Sequence, residues 1–292
     1  VDLKSKLSSV LRDQSALPWF PQLTEDLVNS AWNVLYAGYG YTQQNYSTSR
    51  IIKKNAQADR NVSGTLAFDN FEGTVILEKL PSNHEADFEA LGLCFSQENQ
   101  STTEYQLSEL KLAFNIIAEV PSLFLTVLTL VRSIHILKAE SDQHDVSFSD
   151  PTIPFSIFIS IPSIRKPNSS IRLAEAIIHE AMHLQLTLIE NFCPLILEDN
   201  NKLFSPWKNE DRRPSGVLHA LYVFAVIYTS LPLLDTSNKK IITKRRLEIQ
   251  NQILQIDSFR LTQGFTPIGQ FFKDYLFACF DSPIHLDGSK KA

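Results

Sequence analysis

Hydrophobic positions recur with helical spacing along most of the chain. Leu3, Leu7, Val10 and Leu11 share one face and predict a short amphipathic helix. Leu27, Ala31, Val34 and Leu35 predict a second, ending near Gly38, Tyr39 and Gly40. Residues 41–63 are polar, rich in Gln, Asn and Ser, and read as a surface loop with some helix. Residues 68–77 read as a turn and a strand. Helical periodicity resumes over 104–140. Pro121 interrupts it, because proline lacks an amide donor and crowds the preceding turn, so two helices are expected there.

The texture changes at residues 142–151, which are polar and turn-forming. Residues 153–161 then alternate and are β-branched, as a strand would be. Pro154 and Pro162 bracket that strand. Proline cannot donate to a ladder, so the strand is expected at a sheet edge. An exposed edge can take an extended peptide as an added strand, with Ser156, Phe158 and Ser160 as the docking positions. The other reading is an edge covered by loops.

From Leu173 the chain is apolar nearly all round a helix, through Ile177, Ile178, Met182, Leu186 and Ile189, and such a helix is buried. A polar connection over 190–216 leads to a second apolar helix at 217–228, with Pro214 well placed for its first turn. Residues 238–262 predict a charged amphipathic helix, and 265–280 a last apolar one. Neither internal repeats nor a domain linker are visible in the sequence.

Composition narrows the class. A chain of 292 residues, 43% hydrophobic and 20% charged, is globular and long enough for a sizeable core. The net charge of −5 gives no reason to expect nucleic acid or an anionic membrane as partner. The basic cluster Lys239, Lys240, Lys244, Arg245 and Arg246 reads as a solvated helix face. The longest apolar stretch, 122–131, is bounded by Pro121 and Arg132 and is too short to span a bilayer. Cys94, Cys193 and Cys279 have no disulfide or zinc-site spacing, so a reducing cytoplasm is the expected setting. No signal-peptide pattern is expected at Val1.

Chemistry concentrates in one place. Residues 179–183 read His-Glu-Ala-Met-His within the apolar helix, in a chain with seven histidines. Positions i and i+4 share a helix face, so His179 and His183 can offer two imidazoles to one metal ion. Glu180 projects beside them and can act on a metal-bound water or ligand. A third protein ligand is expected, with open positions left for chemistry. His219, at the start of the next apolar helix, is the best candidate; the other reading is a core histidine bonded to a carbonyl. Glu190 and Glu198 are alternative ligands, and Glu175, one turn before His179, can orient that imidazole. His84, His135, His144 and His285 read as structural or surface residues, although His144 lies close to the expected edge strand.

Arg212 and Arg213 just precede the His219 helix, and planar guanidinium groups bind carboxylates bidentately. The competing reading is an exposed basic pair held by Glu210 or Asp211. Trp207 and Tyr222 either wall the same pocket or belong to the core.

From the motif alone the first expectation is a zinc peptidase with Glu180 as general base. However, the glycine-histidine extension of metzincins and the downstream Asn-Glu pattern of gluzincins are both missing. The runs Leu173–His183, Leu203–Lys208 and Arg213–Tyr222, together with Val146–Pro151 through Ser160, resemble the HExxH-motif peptide-modification proteins. These are found with gene clusters for ribosomally made peptide natural products. The resemblance covers roughly residues 140–228 well and the rest loosely, and several spaced motifs in order are more specific than five residues.

The resemblance implies an iron(II)- and 2-oxoglutarate-dependent β-hydroxylase of a side chain in a precursor peptide. It implies that His179, His183 and His219 bind Fe(II), with zinc or another divalent metal acceptable to the protein as isolated. It also implies that Arg213, in preference to Arg212, binds the distal carboxylate of 2-oxoglutarate. Three histidines depart from the usual two-histidine, one-carboxylate set, which leaves Glu180 as ligand, orienter or proton handler. The expected architecture is α+β: one mostly helical domain over 1–292 with a small sheet, a zincin-like metal helix beside an edge strand, 1–140 mainly helical and 141–292 carrying the metal site. A zinc-dependent metallopeptidase and a non-catalytic peptide-binding partner remain the alternatives.

Overall fold

Helices form where the 3.6-residue spacing puts them, and the departures from expectation lie in the sheet. A computed structural model describes residues 2–13, 15–35, 62–68, 71–79, 103–138, 146–150, 153, 155–161, 168–198, 200–234 and 239–281. The expectations for His84, Cys94, His144, His285 and the loop at 41–61 fall outside these residues. The fold is mostly helical with a small mixed sheet, as the α+β expectation has it. The chain divides into two compact units, Pro21–Leu188 and Val1–Phe20 with Ile189–Ala292.

The unit Pro21–Leu188 holds a five-stranded sheet. Its strands are β1 (Val62–Phe68), β2 (Phe71–Glu78), β3 (Ser133–Leu137), β4 (Ser147–Phe148) and β5 (Ser156–Ser160), in the order β1-β2-β3-β5-β4. The β2–β3 and β3–β5 pairs are parallel, and the outer pairs are antiparallel. Around it lie α2 (Pro21–Ser30), α3 (Glu104–Ala118), α4 (Pro121–Leu130) and most of α5 (Ser169–Phe192). A reciprocal cap starts α3: the Thr103 hydroxyl accepts from the Gln106 amide, and the Gln106 side chain accepts from Thr103. Pro121 opens α4 at a position where its missing donor costs nothing. A π-helical turn, Ala31–Leu35, follows α2, and its Trp32 stacks on Phe155 at 5.0 Å.

Two expectations are corrected here. Residues 133–137, expected to be helical, form β3, because the site between β2 and β5 rewards a buried extended segment whatever the preceding periodicity. The strand expected at the edge is internal: β5 pairs with β3 on one side and β4 on the other. The strand spans only Ser156–Ser160, so the prolines at 154 and 162 lie outside its sequence range and say nothing of its place in the sheet. All five β5 residues are buried, including Ser156, Phe158 and Ser160, so these do not present an open edge to a peptide. Among the described residues the edges belong to β1 and β4.

The second unit packs α1 (Leu3–Arg12) with α6 (Pro214–Ser230), α7 (Lys239–Gln255) and α8 (Pro267–Asp281), and carries the hairpin β6 (Leu203–Ser205) and β7 (Glu210–Arg212). Asp2 caps α1 by accepting from the Lys4 and Ser5 amides, and Leu3, Leu7 and Leu11 face inward. The Tyr275 hydroxyl on α8 donates to the Ala16 carbonyl at 2.7 Å. At the start of α8, Thr266 Oγ1 accepts from the Gly269 amide and donates to the Pro194 carbonyl. Gly269 has to be glycine, since a Cβ there would land on the Leu195 carbonyl.

The stretch Pro214–Leu233, longer than the 122–131 run, is long and apolar enough to cross a bilayer, and most of its apolar window is buried inside the fold. The basic cluster on α7 is not wholly solvated. Arg246 lies over the Tyr228 ring at 4.2 Å, and Arg245 lies 5.7 Å from the Phe224 ring.

Candidate metal centre

Helix α5 presents a narrow open stripe. Most of its residues are buried, but Glu175, His179, His183 and Thr187 are partly exposed, each about one turn from the next, with Ala176 beside the first. The helix starts behind Asn168, whose φ of 73° lies in the left-handed region that Asn tolerates better than most residues. The Ser169 and Ser170 hydroxyls then donate to the buried Glu109 carboxylate of α3 at 2.9 and 3.0 Å. The helix that carries the motif is thereby pinned at its first turn.

His179 Nε2 and His183 Nε2 lie 3.1 Å apart, with their rings edge to face. Two nitrogens at that separation, each about 2.05 Å from one ion, subtend an angle of about 100° at the metal, between octahedral and tetrahedral values. The pair therefore fits a first-row divalent cation. Without one, the same spacing suits an imidazole donating to a neutral neighbour.

Glu180 is 3% exposed. Its Oε1 accepts from Ser147 Oγ at 2.6 Å and its Oε2 from Ser149 Oγ at 2.8 Å, while His179 Nε2 lies 4.0 Å from Oε1. Both carboxylate oxygens are thus engaged by the segment that contains β4. The sequence alone assigns these two serines no role. Its usable signal was alternation: residues 147 and 149 project from the same side of a strand.

In the other unit, His219 Nε2 lies 2.8 Å from Glu190 Oε2, both side chains partly exposed. A carboxylate there requires Nε2 to carry the proton, which leaves Nδ1 as the ring's lone-pair nitrogen. The two side chains named as rival third ligands are therefore partners of one another. Glu198 is exposed, in a connection whose amides donate to the Gly264 carbonyl. Among the described residues, no three His, Cys, Asp or Glu side chains are gathered as an ion-holding group.

Arg212 and Arg213 part company. Arg212 donates to Glu210 at 3.1 Å and lies across Gly216, where a Cβ would come within 3.3 Å of its Nε. Arg213 is exposed at the N-cap of α6 and has no carboxylate partner among the described residues. Trp207 stacks on Phe224 at 5.1 Å with an interplanar angle of 8°. Tyr222 is fully buried and stacks on Phe20, and burial raises its hydroxyl pKa well above the ordinary value. Tyr222 is therefore a core residue and not a pocket wall. His135 is also core: buried, stacked on Phe158 at 4.6 Å, and pushed down to about 3 by desolvation.

No family model and no curated protein matches the chain.

Proposed function

We propose that the protein is an iron(II)- and 2-oxoglutarate-dependent hydroxylase of a ribosomally made precursor peptide, working in the cytoplasm on a zincin-like metal helix. The observation that supports it best is the His179–His183 pair, two imidazole nitrogens 3.1 Å apart on an open stripe of a buried helix. In this reading His219 is the third ligand. Glu190 accepts from its Nε2 and fixes the tautomer that ligates through Nδ1. Iron(II) with 2-oxoglutarate would supply the oxidation of an unactivated C–H bond.

The remaining roles belong to the chain's own side chains. Arg213 clamps the distal carboxylate of 2-oxoglutarate, since Arg212 is already engaged by Glu210. Glu180, tied by Ser147 and Ser149, orients the His179 end of the helix. That engagement favours an orienting role over the proton-abstracting role a peptidase would give it. The peptide docks along the open side of β4, in place of the buried β5.

The test uses anaerobically purified, iron-loaded protein with 2-oxoglutarate, oxygen and the precursor peptide. Succinate and a peptide heavier by one oxygen atom are expected. His179→Ala and His183→Ala should each weaken metal binding by about 100-fold. His219→Ala should do the same, and Arg213→Ala should raise the 2-oxoglutarate requirement with metal binding intact. Peptide cleavage without oxygen, or full iron retention in a His179→Ala/His183→Ala double variant, would overturn the proposal.

A further inference from the structure

A groove opens in the unit Val1–Phe20 with Ile189–Ala292. It encloses about 610 Å³, within the range of small-molecule sites, and is lined by α1, the segment after it, α6, α7 and α8. Leu11, Leu17, Phe271 and Ala278 give it an apolar body. Leu17 and Phe271 are large side chains left 37% and 54% exposed at its rim.

Most polar groups in the groove are already engaged. The Tyr275 hydroxyl donates to the Ala16 carbonyl, Asp274 accepts from Gln270, and the Cys279 thiol donates to the Tyr275 carbonyl. Burial pushes that thiol up to about 12, so it stays neutral and adds no charge.

Two buried polar atoms on its lining lack a hydrogen-bond partner among the described residues. The Tyr228 hydroxyl has no hydrogen-bond partner among the described residues, although Tyr228 is 1% exposed. Among the described residues the buried Nε of Arg246 has none either. The two belong together, because the guanidinium lies 4.2 Å above the Tyr228 ring. A buried hydroxyl and a buried guanidinium nitrogen without acceptors are costly, and native proteins seldom leave them so.

We propose that this groove binds a small apolar monocarboxylate, its carboxylate accepting from Arg246 and from the Tyr228 hydroxyl and its hydrocarbon body lying against Leu11, Leu17 and Phe271. Guanidinium groups match carboxylates in geometry and charge. Asp274 on the groove wall disfavours a second negative charge, which selects a monoanion over a dicarboxylate such as 2-oxoglutarate. The site rests on this unit alone and is independent of the metal reading.

The test is calorimetric titration of the full chain with decanoate, beside decanol and decylamine as probes of equal chain length. One decanoate per chain is expected, with decanol and decylamine at least about tenfold weaker. Arg246→Met keeps an unbranched stem over the Tyr228 ring and should weaken decanoate by about tenfold or more. Tyr228→Phe removes an oxygen atom and no protein hydrogen bond. It should weaken decanoate several-fold while leaving the unliganded protein as stable as before, which separates a binding defect from a folding one. Absence of decanoate binding, equal binding of decanol, or unchanged affinity in both variants would overturn the proposal.

Discussion

Replacing Ser147 by alanine removes one of two hydroxyls that hold the Glu180 carboxylate. The bonds are short, 2.6 and 2.8 Å, and the acceptor is 3% exposed, so water is a poor substitute. A hydrogen bond to a charged group contributes about 1.5–3 kcal/mol net, and each oxygen loses its own donor, so each single change should cost about 2 kcal/mol. The double change Ser147→Ala/Ser149→Ala should cost about 3–5 kcal/mol, with the sum blunted by relaxation around the shared carboxylate. At a urea slope of about 3 kcal/mol per M, the single change moves the midpoint by about 0.7 M. Glu180→Gln should cost less than the double change, because an amide oxygen still accepts from one serine and the other hydroxyl can turn to accept from the amide. Urea unfolding of all four variants completes the cycle. If both single changes stay within about 0.5 kcal/mol of the parent, the two serines do not secure Glu180, and the tie between β4 and α5 is not energetic.

Two further outcomes are expected. The buried His135, held at about 3, is neutral when folded, whereas an unfolded imidazole titrates near about 6.5. Stability from keeping it neutral is therefore complete above about pH 6.5 and falls by about 1.4 kcal/mol per unit as pH drops toward 3. Between pH 6.5 and 4.5 the parent should lose roughly 2–3 kcal/mol more than His135→Phe, and parallel pH profiles of the two urea midpoints would show the reasoning wrong. Gly269→Ala should destabilise by about 3 kcal/mol or more, because the methyl would meet the Leu195 backbone carbonyl. A melting temperature equal to the parent's would mean that the N-terminus of α8 does not approach residue 195 so closely.

The helices were legible because each is long enough for its 3.6-residue pattern to repeat, as Leu3, Leu7 and Leu11 show on α1. The sheet was not. Five residues, Ser133-Ile-His-Ile-Leu137, follow an apolar helix with no turn signal between them, and only the neighbouring strands make them extended. The place of β5 inside the sheet depends on β4, which is two residues long and too short to show a period.

The two motif histidines were readable because one helix carries both. The partners of Glu180 and His219 were not, because those contacts join elements whose approach no spacing encodes: Ser147 lies 33 residues from Glu180, and Glu190 lies 29 from His219. Glu190 itself was noticed, but as a rival of His219 and not as its partner.

The arrangement of Val1–Phe20 with Ile189–Ala292 sets an order of events during synthesis. Helix α1 leaves the ribosome before the whole of Pro21–Leu188, whereas α8, the helix it packs against, emerges after it. Through that interval Leu3, Leu7 and Leu11 form an apolar face with no native cover, the kind of surface that chaperones hold and that aggregates form on. The middle of the chain can fold while it is being made. Helix α1 has to wait for residues 267–281 before it gains that partner.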